Sequence, residues 1–174
     1  MNKKRSGKKI YQLNVTSNFK SSILIIFVLL LFIAVNIYYR NHQNYDLNIF
    51  LYTVLIILPW LVPAVYLHVE YFIRNRNAQL VVDETNKKIW YKNKEKEIEA
   101  GFDDITQLIK HQTGKKDLLF GFYEYYEIHL KGGEILIITN LMTRNLSIPG
   151  VENEVVERYL PSISLDRYLG KQTA

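Results

Sequence analysis

The chain has 174 residues and a formal net charge of +5 at pH 7, and it contains no cysteine. The missing cysteines exclude disulfides, thiolate metal sites and a cysteine nucleophile, and they are typical of a reducing compartment. The positive charge is concentrated before residue 21, where six basic residues occur without an acid: Lys3, Lys4, Arg5, Lys8, Lys9 and Lys20. Because the rest of the chain is close to neutral, we do not expect a basic domain that binds nucleic acid.

Two long apolar segments follow the basic residues. The first runs from Ser22 to Tyr39 and the second from Ile49 to about His68. Each approaches the roughly 20 residues that a helix needs to cross a membrane. Both segments are apolar on all sides rather than along one stripe, which favours two transmembrane helices within residues 22–72 over helices buried in a soluble protein.

The charges around these segments predict their orientation. Basic residues precede the first segment, Arg74 and Arg76 follow the second, and the loop between them has no net charge. The positive-inside rule then places both termini in the cytoplasm, with Tyr38, Tyr39, Arg74 and Arg76 as anchors at the membrane interface. The sequence therefore predicts an integral membrane protein of a bacterial inner membrane, with two spans, a basic cytoplasmic tail over residues 1–21 and the lipid bilayer as a partner.

Two prolines interrupt the second apolar segment. Pro59 and Pro63 each lack a backbone N–H donor, so the helix is expected to bend where they occur. His68 and Glu70 lie at the end of the segment, where polar groups cost little, and Glu70 can reach Arg74 one helical turn further on. Since no charged residue accompanies the prolines, a path for protons or ions is not predicted.

After Arg76 the apolar residues recur with a period of two. Strands are predicted at residues 78–84, 88–93 and 96–102, separated by turns. Residues 103–111 fit either a helix or a strand, and the strand is preferred. The sequence therefore predicts a mainly-β domain that begins at residue 77.

Gly132-Gly133 is the clearest turn in this part of the chain, because it separates two β-rich runs. A two-residue turn would place Ile128 opposite Ile137, and this pairing collects apolar side chains on one face of the sheet. One more short strand is predicted within residues 141–148.

The last predicted element is an amphipathic helix at residues 151–160. Its valines gather on one side and its glutamates on the other, and Pro161 ends it. The predicted cytosolic domain thus spans residues 77–163 and contains six or seven antiparallel strands and a C-terminal capping helix. Residues 164–174 are expected to form a tail.

This order of elements resembles the bacterial membrane-anchored proteins that carry a pleckstrin-homology-like (PH-like) domain. The resemblance rests on FDDITQL (102–108), YEIHLKGGEILIITNLM (126–142) and VVERYLPSI (155–163). It implies a mainly-β, partly open barrel with a helix that plugs one end. It also implies a role in binding or assembly.

Motifs for catalysis and for cofactor binding are missing from the sequence. Four histidines, at positions 42, 68, 111 and 129, lack the spacing of metal ligands. Asp103 and Asp104 are adjacent, which is more typical of a cap or turn than of an acid/base pair. We therefore expect a protein that is not an enzyme, with no metal and no cofactor.

A cluster of aromatic and apolar residues is the predicted protein-interaction surface: Leu118, Leu119, Phe120, Tyr123 and Tyr125. Aromatic anchors of this kind often serve interfaces. The same side chains would also suit the core of the domain, so that alternative stays open.

Lys87, Lys88 and Lys92 are the candidate contacts for a lipid headgroup. Acidic residues lie between them and outnumber basic residues from residue 77 onward, which disfavours anionic lipid. The preferred prediction is a membrane-anchored, non-enzymatic module that binds or scaffolds another protein. A lipid headgroup sensor and an accessory subunit of a transport or export complex are the alternatives, and a homo-oligomer is not excluded.

Overall fold

The computed structural model describes residues 7–13, 15–41, 47–113, 120–158 and 160–165. These residues form two long helices and eight strands: β1 Lys8–Gln12, α1 Val15–Asn41, α2 Leu47–Asn75, β2 Gln79–Asp83, β3 Lys88–Lys92, β4 Glu97–Gly101, β5 Ile105–Thr113, β6 Glu124–Leu130, β7 Ile135–Thr139 and β8 Asn153–Arg158. The strands make two four-stranded sheets: sheet A in the order β1-β2-β3-β4 and sheet B in the order β7-β6-β5-β8.

The main core lies between the two sheets. Alternate residues of each strand point into it, as a pleated strand requires, and Leu80, Ile89 and Ile128 have no exposed surface. Fully burying one such side chain contributes roughly 1.5–3 kcal/mol to stability. Both sheets are therefore held together by the side chains that the period of two predicts.

A second core lies on the other face of sheet B, where the C-terminal half of α2 covers it. Ala64, Leu67 and Tyr71 of α2 pack against Tyr125 and Ile137 of the sheet. Tyr71 also donates a hydrogen bond of 2.6 Å from its hydroxyl to the Pro161 carbonyl. β7 is thus buried on both faces, since Leu136 and Ile138 face the main core and Ile137 faces α2, and its sequence is nearly all apolar.

The predicted strands before residue 113 form as expected. Residues 78–84, 88–93 and 96–102 contain β2, β3 and β4, and the ambiguous stretch 103–111 contributes to β5. Residues 8–12 add β1 to sheet A by antiparallel pairing with β2, although they belong to the segment predicted as a basic tail.

The β6–β7 hairpin forms, but its register differs from the prediction by one residue. Ile128 pairs with Leu136 rather than with Ile137. The turn is longer than two residues, because the Leu130 amide donates to the Glu134 carbonyl and Gly133 adopts a left-handed φ of 84°. A left-handed glycine that lengthens the turn shifts the pairing of the whole hairpin.

The predicted C-terminal capping helix is wrong. Residues 153–158 form β8, which pairs in parallel with β5. The adjacent β-branched residues Val155 and Val156 favour a strand, and backbone pairing with β5 outweighs their helical spacing. Because this pair is parallel, the prediction that all strands of the domain are antiparallel is also wrong, although residues 77–163 do contain seven strands.

The prediction of two membrane-spanning helices ahead of the domain is wrong as well. Both helices lie between β1 and β2 in the chain. Among the described residues, no single helix is both long enough and apolar enough to cross a membrane, and only the two parts of α2, Phe50–Pro59 and Leu61–Asn75, pass together, bent by 43°. The prediction of a two-span integral membrane protein of a bacterial inner membrane is therefore not supported, and neither is the orientation predicted for it.

The bend in α2 coincides with its prolines, as their missing donors predict. It divides the helix into two parts with different surroundings. The part after the bend contributes to the core on sheet B, whereas Leu51, Leu55 and Ile56 before the bend are exposed. α1 contacts α2 through Phe32 and Phe50, whose ring centroids are 5.9 Å apart. We call α1 and the first part of α2 the helical arm.

Candidate functional site

A cleft of about 560 Å³ opens where the C-terminal part of α2 meets the β3–β4 turn and β7. This volume lies within the roughly 300–1,000 Å³ that is typical of small-molecule sites. The lining residues are distant in the chain: Tyr66, Val69, Glu70, Ile73, Arg74, Arg76, Asn77, Tyr91, Asn93, Lys94, Glu95, Lys96, Ile135, Ile137 and Ser164. The cleft therefore exists only after both sheets and α2 have assembled.

Positive charge predominates in this cleft. Among the described residues, its lining contains four basic residues, Arg74, Arg76, Lys94 and Lys96, and two acids, Glu70 and Glu95. The Lys96 ammonium lies 3.5 Å from the Ile135 carbonyl oxygen. Within the described part of the chain, no carboxylate lies within 4.0 Å of Arg74, Arg76 or Lys94. Three cations are therefore available to an anion that enters the cleft.

The β3–β4 turn holds Lys94 and Lys96 in place. The Asn93 side-chain oxygen accepts hydrogen bonds of 2.8 Å from the backbone amides of Glu95 and Lys96. The Asn93 amide also donates to the Tyr91 hydroxyl at 3.3 Å. Burial raises the pKa of Tyr91, although the nearby Arg74 charge opposes this effect. The turn thus presents its lysines from a fixed backbone and beside a neutral phenol.

Glu70 does not pair with Arg74, contrary to the expectation from their spacing. Its carboxylate instead accepts hydrogen bonds from the backbone amides of Ile163, at 3.2 Å, and Ser164, at 2.8 Å. These bonds satisfy two donors of the last described segment of the chain. The Glu70 carboxylate is thus engaged by the backbone of this segment and forms no ion pair with Arg74.

One wall of the cleft is apolar and open. Tyr66, Val69 and Ile73 line it from α2, and they are 43%, 48% and 55% exposed. The cleft thus offers an apolar wall on the helix side and cations on the turn side. An apolar wall beside positive charge is complementary to an amphiphile with an anionic headgroup.

The three described residues of the predicted protein-interaction surface lie in the core rather than at the surface. Phe120, Tyr123 and Tyr125 are at most 2% exposed and pack against α2. Leu118 and Leu119 lie outside the described residues. The Tyr123 hydroxyl lies 3.4 Å from Nδ1 of His68, and burial raises the pKa of Tyr123. These aromatic residues join α2 to sheet B.

None of the three lysines predicted to contact lipid lines the cleft: Lys87 and Lys88 lie at the β2–β3 turn, and Lys92 ends β3 beside Asn93, which does line the cleft. Lys87 occupies that turn with a left-handed φ of 52°. Lys88 pairs with Glu99 at 2.7 Å, and Lys92 pairs with Glu97 at 3.0 Å. Two of the three lysines are therefore already engaged by carboxylates.

The predicted membrane-interface residues are divided between two places. Tyr38 is exposed on α1, and Tyr39 belongs to the same helix, but its side chain is outside the described residues. Arg74 and Arg76 line the cleft. Sequence reasoning did not single out Lys94 and Lys96 as binding residues, although their place in a lysine-rich turn was visible in the sequence.

Two four-stranded sheets enclose the main core, and a charged cleft opens at their edge beside α2. A family model described as "PH domain" matches residues 10–149. The chain belongs to the PH domain family, and the PH-like part of the predicted resemblance is confirmed. No curated protein matches the chain, and no solved structure does.

The family match extends across the helical arm, because it begins in β1 and ends before β8. Membership indicates a module that binds protein or lipid, which agrees with the general kind of function and partner predicted from the sequence. The bacterial origin implied by the resemblance stays a prediction.

Proposed function

We propose that the chain is a non-catalytic module that binds a lipid with an anionic phosphate headgroup, and that the headgroup enters the cleft beside α2. The observation that carries this proposal is the group formed by Arg74, Arg76 and Lys94 next to an apolar wall, with no carboxylate of the described residues within 4.0 Å of these cations. Arginine and lysine are the usual partners of phosphate groups.

The apolar wall favours a lipid over a free anion. Val69 and Ile73 expose about half of their surface beside the cations, and the exposed residues of α2 continue from them toward the helical arm. A headgroup between Arg74 and Lys94 would leave its acyl chains next to this apolar surface. Burying apolar surface contributes roughly 25 cal/mol per Å².

The Lys87, Lys88 and Lys92 group is a weaker candidate for the same ligand. Its ion pairs with Glu97 and Glu99 would have to be broken or neutralised before a phosphate could bind. At Arg76 and Lys94 in the cleft, no ion pair with a described carboxylate would have to be broken before a phosphate binds. The charge distribution thus supports the cleft rather than the outer face of sheet A.

Flotation of the full chain with phospholipid vesicles tests the proposal. Binding to phosphatidylcholine vesicles is compared with binding to vesicles that also contain phosphatidic acid, because the exposed helices can bind any bilayer. We expect a preference for phosphatidic acid, and the substitution Lys94→Glu should reduce it about fivefold or more, since each basic residue near a charged surface contributes about 1 kcal/mol.

Lys88→Glu is the matched control, because it makes the same charge change at an exposed residue on sheet A. It should leave the preference nearly unchanged. The proposal is overturned if the wild-type chain shows no preference for phosphatidic acid, or if Lys88→Glu reduces it as much as Lys94→Glu does. Competition by soluble inorganic phosphate at equal headgroup concentration would indicate a free-anion site instead.

A second candidate function, binding of a protein, is favoured by the outer face of sheet A. Ile10 is 60% exposed and stands in register with Val81, which pairs with the partly buried Trp90. Ion pairs flank this apolar row, as polar residues flank many interfaces. Chemical cross-linking of the full chain should depend on this face, so Ile10→Asp should abolish any cross-linked species that forms through it.

A further inference from the structure

The last described segment, residues 160–165, is attached to α2 at the edge of the cleft, and we call it the C-terminal clasp. Tyr71 binds the Pro161 carbonyl, Ile163 has no exposed surface, and Glu70 accepts the amide hydrogens of Ile163 and Ser164. The Leu165 amide donates to the Ser162 hydroxyl at 3.3 Å. The clasp therefore combines buried apolar packing with hydrogen bonds to two consecutive residues of α2.

Glu70 lies in the same cleft as the cations that the proposed function uses. It precedes Arg74 by four residues, which is the favourable order for a helical ion pair between a glutamate and a cation. The two side chains nevertheless form no ion pair in the described structure, because the carboxylate is turned toward the clasp amides. The clasp thus occupies the one acid on α2 that lines the cleft.

We infer that the C-terminal clasp keeps the anion site open by holding the Glu70 carboxylate away from Arg74. Glu70 is then a positioning residue, and release of the clasp converts it into a competitor for Arg74. This inference rests on the proposed function, since it concerns the availability of Arg74 to the same anionic headgroup. It makes headgroup affinity depend on the C-terminal end of the domain.

The substitution Ser164→Pro removes the amide hydrogen of the shorter of the two bonds to Glu70. We expect it to weaken the binding of the full chain to phosphatidic acid vesicles about two- to threefold, the size of a surface ion pair on a helix. Ser164→Ala is the matched control, because it keeps the amide and removes only the hydroxyl, and it should bind like the wild type.

The substitution Glu70→Gln separates this mechanism from simple loss of structure. Glutamine cannot form an ion pair with Arg74, so Ser164→Pro should have no effect on affinity when Glu70→Gln is also present. This comparison is a double-mutant cycle, and it cancels the separate effect of removing one negative charge from the cleft. Ile163→Ala, which loosens the clasp through its apolar contact, should follow the same pattern.

The possible outcomes distinguish the two proposals. If the wild-type chain does not prefer phosphatidic acid, the proposed function fails and this inference fails with it. If the wild type prefers phosphatidic acid but Ser164→Pro binds equally well, only the clasp inference is overturned. If the loss caused by Ser164→Pro persists in the Glu70→Gln background, the clasp acts through the general stability of the fold and not through Arg74, which also overturns it.

Discussion

Replacement of Leu67 by alanine is expected to destabilise the whole domain, although the first part of the same helix belongs to the exposed arm. Leu67 has no exposed surface and belongs to the core between α2 and sheet B. Removing a fully buried leucine side chain costs about 2–5 kcal/mol, from lost transfer energy and the remaining cavity. For a chain of this size each kcal/mol lowers the melting temperature by about 2–4 °C, so Leu67→Ala should lower it by about 4–20 °C.

Leu58→Ala is the matched comparison, because it makes the same change in the same helix. Leu58 lies before the bend and is 52% exposed, so the cost should be within about 0.5 kcal/mol. Thermal unfolding followed by circular dichroism, in a mild non-ionic detergent that prevents association of exposed helices, measures both variants. Equal melting temperatures for the two would refute the division of α2 into a docked part and an arm.

Three further predictions concern pH, a turn and a buried hydrogen bond. Burial lowers the pKa of His68 below its usual 6.5, so the unfolded state binds the proton more readily than the folded state does. The stability of the fold should therefore decrease as the pH falls below about 6.5. His68→Gln should flatten this part of a stability–pH profile measured by thermal melts. Gly133→Ala should cost about 1 kcal/mol in urea unfolding, because φ at Gly133 is 84°, whereas Gly132→Ala meets only the flexible Glu134 carboxylate and should cost less. Tyr71→Phe leaves the Pro161 carbonyl without its donor and should cost about 1–3 kcal/mol by the same assay, and an unchanged midpoint would contradict the buried bond.

The parts of the fold that depend on local pattern were predictable from the sequence. Strands β2, β3 and β4 are rich in β-branched, aromatic or alternating apolar residues, and buried and less buried positions alternate along most of their length. The β6–β7 hairpin was identified from Gly132-Gly133, but its register depended on the φ of a single glycine. A glycine pair shows that a turn occurs and does not show which of its members adopts the left-handed conformation.

The parts that depend on distant contacts were not predictable. Residues 153–158 carry a helical apolar spacing, but β5 offers them a free edge and they pair with it. In the same way, the aromatic residues Phe120, Tyr123 and Tyr125 resemble an exposed interface until α2 is placed over them. In both cases a partner remote in sequence decides the outcome, and a single sequence contains no record of that partner.

The cleft is the clearest example of this limit. Arg74 and Arg76 were interpreted as membrane anchors because they follow an apolar segment, and Lys94 was not among the predicted binding residues. Their common site arises because α2 ends next to the β3–β4 turn in the folded domain. Composition shows which charges exist, whereas only the fold shows which of them lack a partner.

The position of the helical arm between β1 and β2 has a mechanical consequence. Gln12, shortly before α1, pairs with Gln79, shortly after α2, so the chain leaves sheet A and returns to it at neighbouring backbone positions. The arm is joined to the sheets at two places: through β1, which precedes α1, and through the bend at Pro59 and Pro63, after which α2 is packed on sheet B. Because the docked part of α2 also lines the cleft, a tilt of the arm about the bend would act on the helix that carries Arg74.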